Sequence, residues 1–107
     1  MLKFSANVTM LFKEVPFLDR FREAAAAGFK AVEFMFPYEF LPEQLKTALD
    51  ANQLSLVLFN LPAGDWENGD RGIANDPARK EEFRKGVGQA VQYARHLGVK
   101  QVNCLVG

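Results

Sequence analysis

The sequence predicts an α/β fold in which parallel strands alternate with helices. Apolar runs of strand length alternate along the chain with segments whose apolar residues recur at helical spacing. The runs are almost continuously hydrophobic, as expected for strands covered on both faces. The connections are short, except after the third strand, and this order of elements requires parallel strands joined by right-handed crossovers.

The first strand is predicted at residues 2–8 and ends near Asn7. Pro16 suits the first turn of a helix, where its missing N–H costs nothing. Apolar side chains then recur on one face of this segment. Gly28 ends the helix, because glycine readily adopts the left-handed conformation common at helix ends.

The second strand is predicted at residues 31–36, and Pro37 closes it. Pro42 begins the second helix as Pro16 begins the first, and Asn52 ends it. Residues 54–61 form the third predicted strand.

The third helix has the clearest start, because Asp76 supplies an N-cap acceptor and Pro77 follows at the first helical position. Gly98 ends it, and residues 101–106 form a fourth strand. This repeat fits either a three-layer open sheet or part of a (β/α)8 barrel. No glycine-rich nucleotide fingerprint follows the first strand, which disfavours a nucleotide-binding open sheet.

The stretch from residue 56 to residue 74, LVLFNLPAGDWENGDRGIA, is the candidate functional segment. Its first half is a buried strand, and its second half places Gly, Asp, Asn, Trp and Arg in one loop. A loop at the carboxyl end of a buried parallel strand has a fixed base and an adaptable tip, which suits ligand binding.

Composition excludes several classes of protein. At 107 residues with 49% hydrophobic residues, the chain is one globular domain. Lys plus Arg and Asp plus Glu are 13 each, so no basic surface for nucleic acid is expected. No run reaches the roughly 18 apolar residues of a membrane span, and no signal peptide is predicted. The single cysteine, Cys104, cannot form an internal disulfide, which indicates a reducing compartment and a cytoplasmic protein. Its apolar neighbours predict that it is buried.

Four segments in this order, FSANVTMLF, GFKAVEFMFPY, FNLPAGDWENGDRGIA and VNCLVG, resemble the amino-terminal part of the hydroxypyruvate isomerases. These belong to the xylose-isomerase-like TIM-barrel superfamily. The resemblance covers essentially the whole chain, and its third segment is the most specific. It implies that residues 1–107 are a single partial domain, the first half of a (β/α)8 barrel ending after the fourth parallel strand.

The resemblance also implies an activity, the interconversion of hydroxypyruvate and tartronate semialdehyde. In such enzymes a divalent metal, Mg²⁺ or Mn²⁺, and two glutamates move a proton between neighbouring carbons through an enediolate. These groups belong to later strands and have no counterpart here. We therefore expect no catalytic residue and no metal ligand in this chain, and no activity from it alone. Many relatives are expected to carry His at the position of Phe59.

The substrate-facing wall is the part that this chain can supply, with a small anionic keto acid as partner. Arg71 is the candidate carboxylate contact, because a guanidinium can meet both carboxylate oxygens. The other predicted substrate-binding residues lie at strand ends or could exclude water: Asn7, Phe36, Asn60, Trp66 and Asn103.

Each of these residues has a structural alternative. An asparagine that ends a strand is often a turn former, and Trp66 could anchor its loop on the barrel rim. Arg71 could instead form an ion pair with Asp65, Glu67 or Asp70.

Two further functions remain open: a related isomerase or epimerase of sugars or oxo-tetronates, and a non-catalytic half-barrel that self-assembles. The first and fourth strands of a half-barrel have open edges that recruit another chain. A homo-oligomer formed through these edges is therefore predicted, with neither a nucleic-acid nor a membrane partner.

Overall fold

The computed structural model describes residues 2–107. Strands and helices alternate along the chain in the order β1 (Ser5–Asn7), α1 (Arg20–Ala26), β2 (Ala31–Glu33), α2 (Pro42–Ala51), β3 (Ser55–Leu56) and α3 (Lys80–Leu97). The strands form one parallel sheet in the order β1-β2-β3. The predicted alternation of parallel strands with helices is confirmed.

All three strands are shorter than the apolar runs that predicted them. Hydrogen bonds continue past the strand ends, since Val8 N donates to Glu33 O at 2.9 Å and Asn60 N donates to Met35 O at 2.8 Å. Between these bonds the ladder is irregular, because Phe34 N reaches Leu58 O only at 3.4 Å. Hydrophobicity therefore marks the buried segment, whereas regular pairing covers only part of it.

The fourth predicted strand, residues 101–106, is wrong in extent. It is reduced to one parallel bridge between Asn60 and Asn103. Asn103 N donates to Phe59 O and Leu61 N donates to Asn103 O, both at 2.8 Å. Val106 then turns its carbonyl to the N–H of Asn75, at 3.1 Å. The end of the segment is therefore bonded to the preceding loop and does not extend the ladder.

Local capping explains why the helix ends were predicted well. Pro42 begins α2, and Asn52 is its C-cap. Asp76 accepts a hydrogen bond from Ala78 N at 2.9 Å, and a 3-10 turn (Pro77–Arg79) leads into α3. Gly98 ends α3 at φ 73°, in the left-handed region. The first predicted helix begins later than Pro16, as a 3-10 turn (Phe17–Asp19) that continues into α1.

The core lies between the sheet and the helices. Ala6 and Val32, the middle residues of β1 and β2, are fully buried against this layer. Phe34 connects the aromatic part of the core, with ring centroids 6.1 Å from both Phe21 and Phe59. Phe59 is fully buried, so the position where a histidine is expected in relatives belongs to the core in this chain.

Cys104 was predicted to be buried, and this is wrong, because its side chain is exposed. It follows the single bridge at Asn103, beyond which no strand of the described residues covers the segment.

Among residues 2–107, no helix combines the length and the apolar character needed to cross a bilayer.

Candidate functional site

The three predicted asparagines lie at the carboxyl edge of the sheet, and the structure brings two of them together. Asn103 Nδ2 donates to Asn60 Oδ1 at 3.1 Å, across the bridge that their main chains form. Asn60 is buried and Asn103 is exposed. The pair fixes the orientation of both carboxamides at this edge.

Asn7 lies at the same edge but takes part in a turn. Its Oδ1 accepts from Thr9 N at 3.0 Å, and its carbonyl accepts from Met10 N and Leu11 N. Thr9 Oγ1 in turn accepts from Met35 N at 2.8 Å. Asn7 therefore forms a turn, which is the structural alternative given above for an asparagine that ends a strand. Thr9 links the ends of β1 and β2, and sequence reasoning missed it because only the tertiary fold places Met35 beside it.

Phe36, Trp66 and Arg71 form one contiguous cluster, which we call the aromatic clamp. The ring centroids of Phe36 and Trp66 are 4.9 Å apart in an edge-to-face arrangement. The guanidinium carbon of Arg71 lies 3.7 Å from the centre of the Trp66 ring. This is a cation–π contact, which is strongest on tryptophan. Three residues predicted separately therefore form a single unit.

Hydrogen bonds to the main chain fix the Arg71 side chain further. Its Nη1 donates to Trp66 O at 3.0 Å and to Asp70 O at 2.7 Å. Within residues 2–107, Arg71 forms no ion pair with the acidic residues of its loop. The alternative interpretation as a local ion pair is therefore not what the structure shows. The guanidinium is exposed and oriented, which suits a small anion.

Asp70 pairs with a more distant arginine. Its Oδ2 lies 2.9 Å from Arg79 Nη2 and also accepts from Asp65 N at 2.7 Å. The hydrogen bond from Arg79, followed by that from Asp65, holds the pKa of the Asp70 carboxyl below its usual range. Glu82 first, and Asp70 second, raise the pKa of Arg79. The Asp70–Arg79 pair was missed because it joins a loop to a helix start across nine positions, a spacing with no local pattern.

Tyr38 was also missed, although it follows β2 at the same edge. Its hydroxyl donates to Asn60 O at 2.5 Å, which supports the predicted site from the core side. Its ring packs edge-on to that of Tyr93, with 5.2 Å between centroids. Burial, and secondarily the neighbouring Tyr93, raise the pKa of the Tyr38 phenol. Nothing in the sequence distinguishes this tyrosine from an ordinary core aromatic.

A groove of about 350 Å³ opens beside the aromatic clamp. Its lining includes Phe36, Tyr38, Trp66, Glu39, Glu67 and Gln89. A second hollow of about 390 Å³ lies at the amino end of β3 and contains none of the predicted site residues. Of the predicted site residues, Phe36 and Trp66 line the groove, whereas Asn7, Asn60, Arg71 and Asn103 do not. Barrels of parallel strands place their sites at this carboxyl edge.

In the part of the chain that the structure describes, no three His, Cys, Asp or Glu side chains converge as metal ligands do. A complete site for Mg²⁺ or Mn²⁺, which takes several oxygen ligands, does not fit these residues. What the site offers is an oriented guanidinium, two carboxamides and an aromatic wall. Such groups can bind and orient a small polar anion.

Comparison with known proteins gives relatives along the whole chain. The family model described as "Xylose isomerase-like TIM barrel" matches residues 21–107. Hydroxypyruvate isomerase of Escherichia coli is 60% identical over 107 residues, which are 100% of this chain and 42% of that protein. The 2-oxo-tetronate isomerase of Cupriavidus necator is 47% identical over 107 residues, 100% of this chain and 41% of that protein.

A solved structure has the same fold. The structure of "AP endonuclease, family 2" from Brucella melitensis superimposes with a TM-score of 0.97 at 46% identity, covering 100% of this chain and 42% of that one. The chain thus spans about two fifths of the length of these relatives. These matches confirm the resemblance to the amino-terminal part of hydroxypyruvate isomerases and the partial TIM-barrel fold. The chain therefore belongs to the xylose isomerase-like TIM barrel family.

Proposed function

We propose that this chain supplies the substrate-binding half of an isomerase that interconverts hydroxypyruvate and tartronate semialdehyde in the cytoplasm. The names of the relatives support an isomerase of small oxo acids. The observation that carries the proposal for this chain is the position of Arg71, held on Trp66 beside the groove at the carboxyl edge.

Carboxylate recognition follows from the chemistry that the two named substrates share. Hydroxypyruvate and 2-oxo-tetronate are both 2-oxo acids, so an enzyme for either must bind a carboxylate. Nη1 of Arg71 is engaged by two carbonyls, whereas Nε and Nη2 donate to none of residues 2–107. These two groups can meet the two carboxylate oxygens in one plane.

The remaining site residues would orient the substrate and exclude water. The carboxamides of Asn60 and Asn103 can bond to its carbonyl and hydroxyl oxygens, and Phe36 and Trp66 wall off one side. Proton transfer between the neighbouring carbons, through an enediolate, needs an acid–base group beyond those placed here. We propose that this group, and the ligands of a divalent metal, lie outside residues 2–107, and we assign no step to the metal.

A chimera tests the proposal. Residues 1–107 replace the matching segment of the 60% identical Escherichia coli enzyme, and hydroxypyruvate turnover is assayed with Mg²⁺ and then with Mn²⁺. We expect turnover by the chimera and none by the 107-residue chain assayed in parallel. A folded chimera that converts neither hydroxypyruvate nor 2-oxo-tetronate would refute the proposal. Preference for 2-oxo-tetronate would support the related activity instead.

Arg71→Ala in this chimera tests the carboxylate contact. We expect KM for hydroxypyruvate to rise about 10–100-fold, the loss of a charge-assisted hydrogen-bond pair, with a smaller change in kcat. Arg84→Ala is the matched control, because Arg84 lies on α3 and pairs only with Glu81 in the structure. Equal KM values for the two variants would remove Arg71 from the site.

A self-assembling, non-catalytic half-barrel is the second candidate function. It is favoured by the outer edge of β1, which pairs with no other segment of residues 2–107. An unpaired strand edge is a template for another chain.

A further inference from the structure

The loop between β3 and α3 contains its own brace, formed by Asp70, Arg79 and Asp65. We infer that Asp70 is a positioning residue: with Arg79 it fixes the loop so that Arg71 stays stacked on Trp66 and open to an anion. Asp70 itself touches no substrate in this scheme. The inference deepens the proposed function, because its effect on substrate affinity rests on Arg71 being the carboxylate contact.

The brace is tied to the first turn of α3 through Glu82. Arg79 belongs to the 3-10 turn before α3, and its guanidinium also binds both carboxylate oxygens of Glu82 at 2.9 Å. The planar group is thereby held in one orientation toward Asp70, at 2.9 Å. The side chains of Asp70 and Arg79 are both about 30% exposed, so the pair is partly sheltered from water.

The brace also closes a small ring of main chain that contains Trp66. Asp65 N donates to the Asp70 carboxylate, and Asp70 N donates back to Asp65 O at 3.0 Å. Asp65 caps the 3-10 turn Trp66–Asn68, accepting from Asn68 N and Asn68 Nδ2. The ends of the turn that carries Trp66 are therefore tied together through Asp70.

Gly64 shows how closely the Asp70 carboxylate packs on the loop. Its φ is 87°, and a Cβ at this position would overlap Asp70 Oδ2. The loop thus leaves room for the carboxylate only because residue 64 has no side chain.

The consequence for Arg71 is preorganisation. Its Nη1 bonds to the carbonyls of Trp66 and Asp70, so both acceptors belong to the ring that Asp70 closes. Without the brace, the acceptors and the indole would move independently. The long side chain of Arg71 would then have to be ordered at each binding event, which lowers the affinity for the substrate.

Trp66 is the only tryptophan of the chain, so its fluorescence tests the brace without any assay of activity. In Asp70→Asn we expect the acrylamide quenching constant to rise about twofold, because the guanidinium no longer shields one indole face. Arg79→Gln should do the same, and Asp70→Glu should restore part of the protection. Glu81→Gln is the control, since it removes an ion pair on α3 that does not touch the loop.

Far-UV circular dichroism identifies variants that are folded. If folded Asp70→Asn and Arg79→Gln both show the quenching of the unsubstituted chain, the inference is wrong. If either variant fails to fold, the other decides, and an increase in Arg79→Gln supports the brace.

The chimera gives the second readout. We expect Asp70→Asn to raise KM for hydroxypyruvate about fivefold with little change in kcat, the effect of ordering one flexible side chain on binding. Asp70→Glu should recover part of the affinity. Increased quenching with unchanged KM would support the brace and refute Arg71 as the carboxylate contact. Unchanged quenching would refute the brace whatever the kinetics show.

Discussion

Gly72 lies where the β3–α3 loop crosses the end of the chain. Its φ is 109°, and a Cβ at this position would overlap the main-chain carbonyl of Leu105. Its N–H donates to Ala63 O at 2.9 Å, so the backbone there has little freedom to shift. We expect Gly72→Ala to lower the free energy of unfolding by about 1–3 kcal/mol, as measured by urea denaturation.

Gly88 provides the matched control for this substitution. It lies inside α3, and a Cβ there would meet no atom within 4 Å beyond the neighbouring backbone of its own helix. Gly88→Ala should therefore raise the free energy of unfolding by about 0.5–1 kcal/mol, because alanine favours the helix. Equal midpoints for the Gly72→Ala and unsubstituted chains would show that the contact with Leu105 does not constrain the loop.

Residues of the site were predictable where their place follows from one element. Asn60 and Asn103 lie at or near the carboxyl ends of predicted strands, and a parallel sheet brings such ends to one edge. Asp70 and Arg79 were missed because their contact depends on how the loop returns to α3. Cys104 was misassigned since an apolar neighbourhood in sequence does not say whether a covering element exists.

Helices and strands differed in how well their bounds were predicted, for a physical reason. A helix end depends on neighbouring residues, as at Pro42 and Gly98, so its signal is local. A strand needs a partner in register, and β3 keeps regular pairing for only two residues, Ser55–Leu56. The apolar pattern therefore identified the buried segments and overestimated the ladders.

Two tyrosine hydroxyls join the connection between β2 and α2 to the carboxyl edge and to α3. Tyr38 donates to Asn60 O, and Tyr93 donates to Phe40 O at 2.6 Å. Burial is the main reason that the pKa of each phenol is raised above its ordinary value of 10.0. Their neutral forms thus contribute stability that is fully present below pH 10 and is lost as pH rises through the raised pKa values.

Alkaline titration of tyrosinate absorbance tests how these hydroxyls link the β2–α2 connection to α3 and the sheet. We expect no ionisation of Tyr38 at pH 10.0 in the folded chain, and ionisation near pH 10.0 in denaturant. Far-UV circular dichroism recorded in parallel should show unfolding together with tyrosinate formation at higher pH. If both tyrosines ionise at pH 10.0 while the far-UV circular dichroism stays native, the buried hydrogen bonds of the two hydroxyls are contradicted.

At the scale of the whole molecule, the helices cover only one face of the sheet. In β1 and β2 the middle residue is buried, whereas the residues on either side, Ser5, Asn7, Ala31 and Glu33, are half-buried. A continuous layer of helices outside and a partly open inner face is the pattern of one wall of a barrel. The superposition on two fifths of a solved relative agrees with this arrangement.

The open edges of this wall favour association of the 107-residue chain with itself. Apolar side chains are exposed near both edges, with Phe4 at 69% beside β1 and Val106 at 60% beside the bridged segment. A twofold axis could pair β1 of each copy with the segment 101–106 of the other, which closes a ring. Light scattering after size-exclusion chromatography should therefore give about twice the monomer mass of 12.0 kDa.

Phe4→Lys tests whether this edge is the contact, because a charge on an edge strand opposes pairing with another chain. We expect this variant to elute at 12.0 kDa. Leu41→Lys is the matched control, since Leu41 is also exposed, at 64%, but precedes α2 and lies off the sheet edges. A 12.0 kDa mass for the unsubstituted chain at high micromolar concentration, or a loss of association in Leu41→Lys as well, would refute pairing through β1.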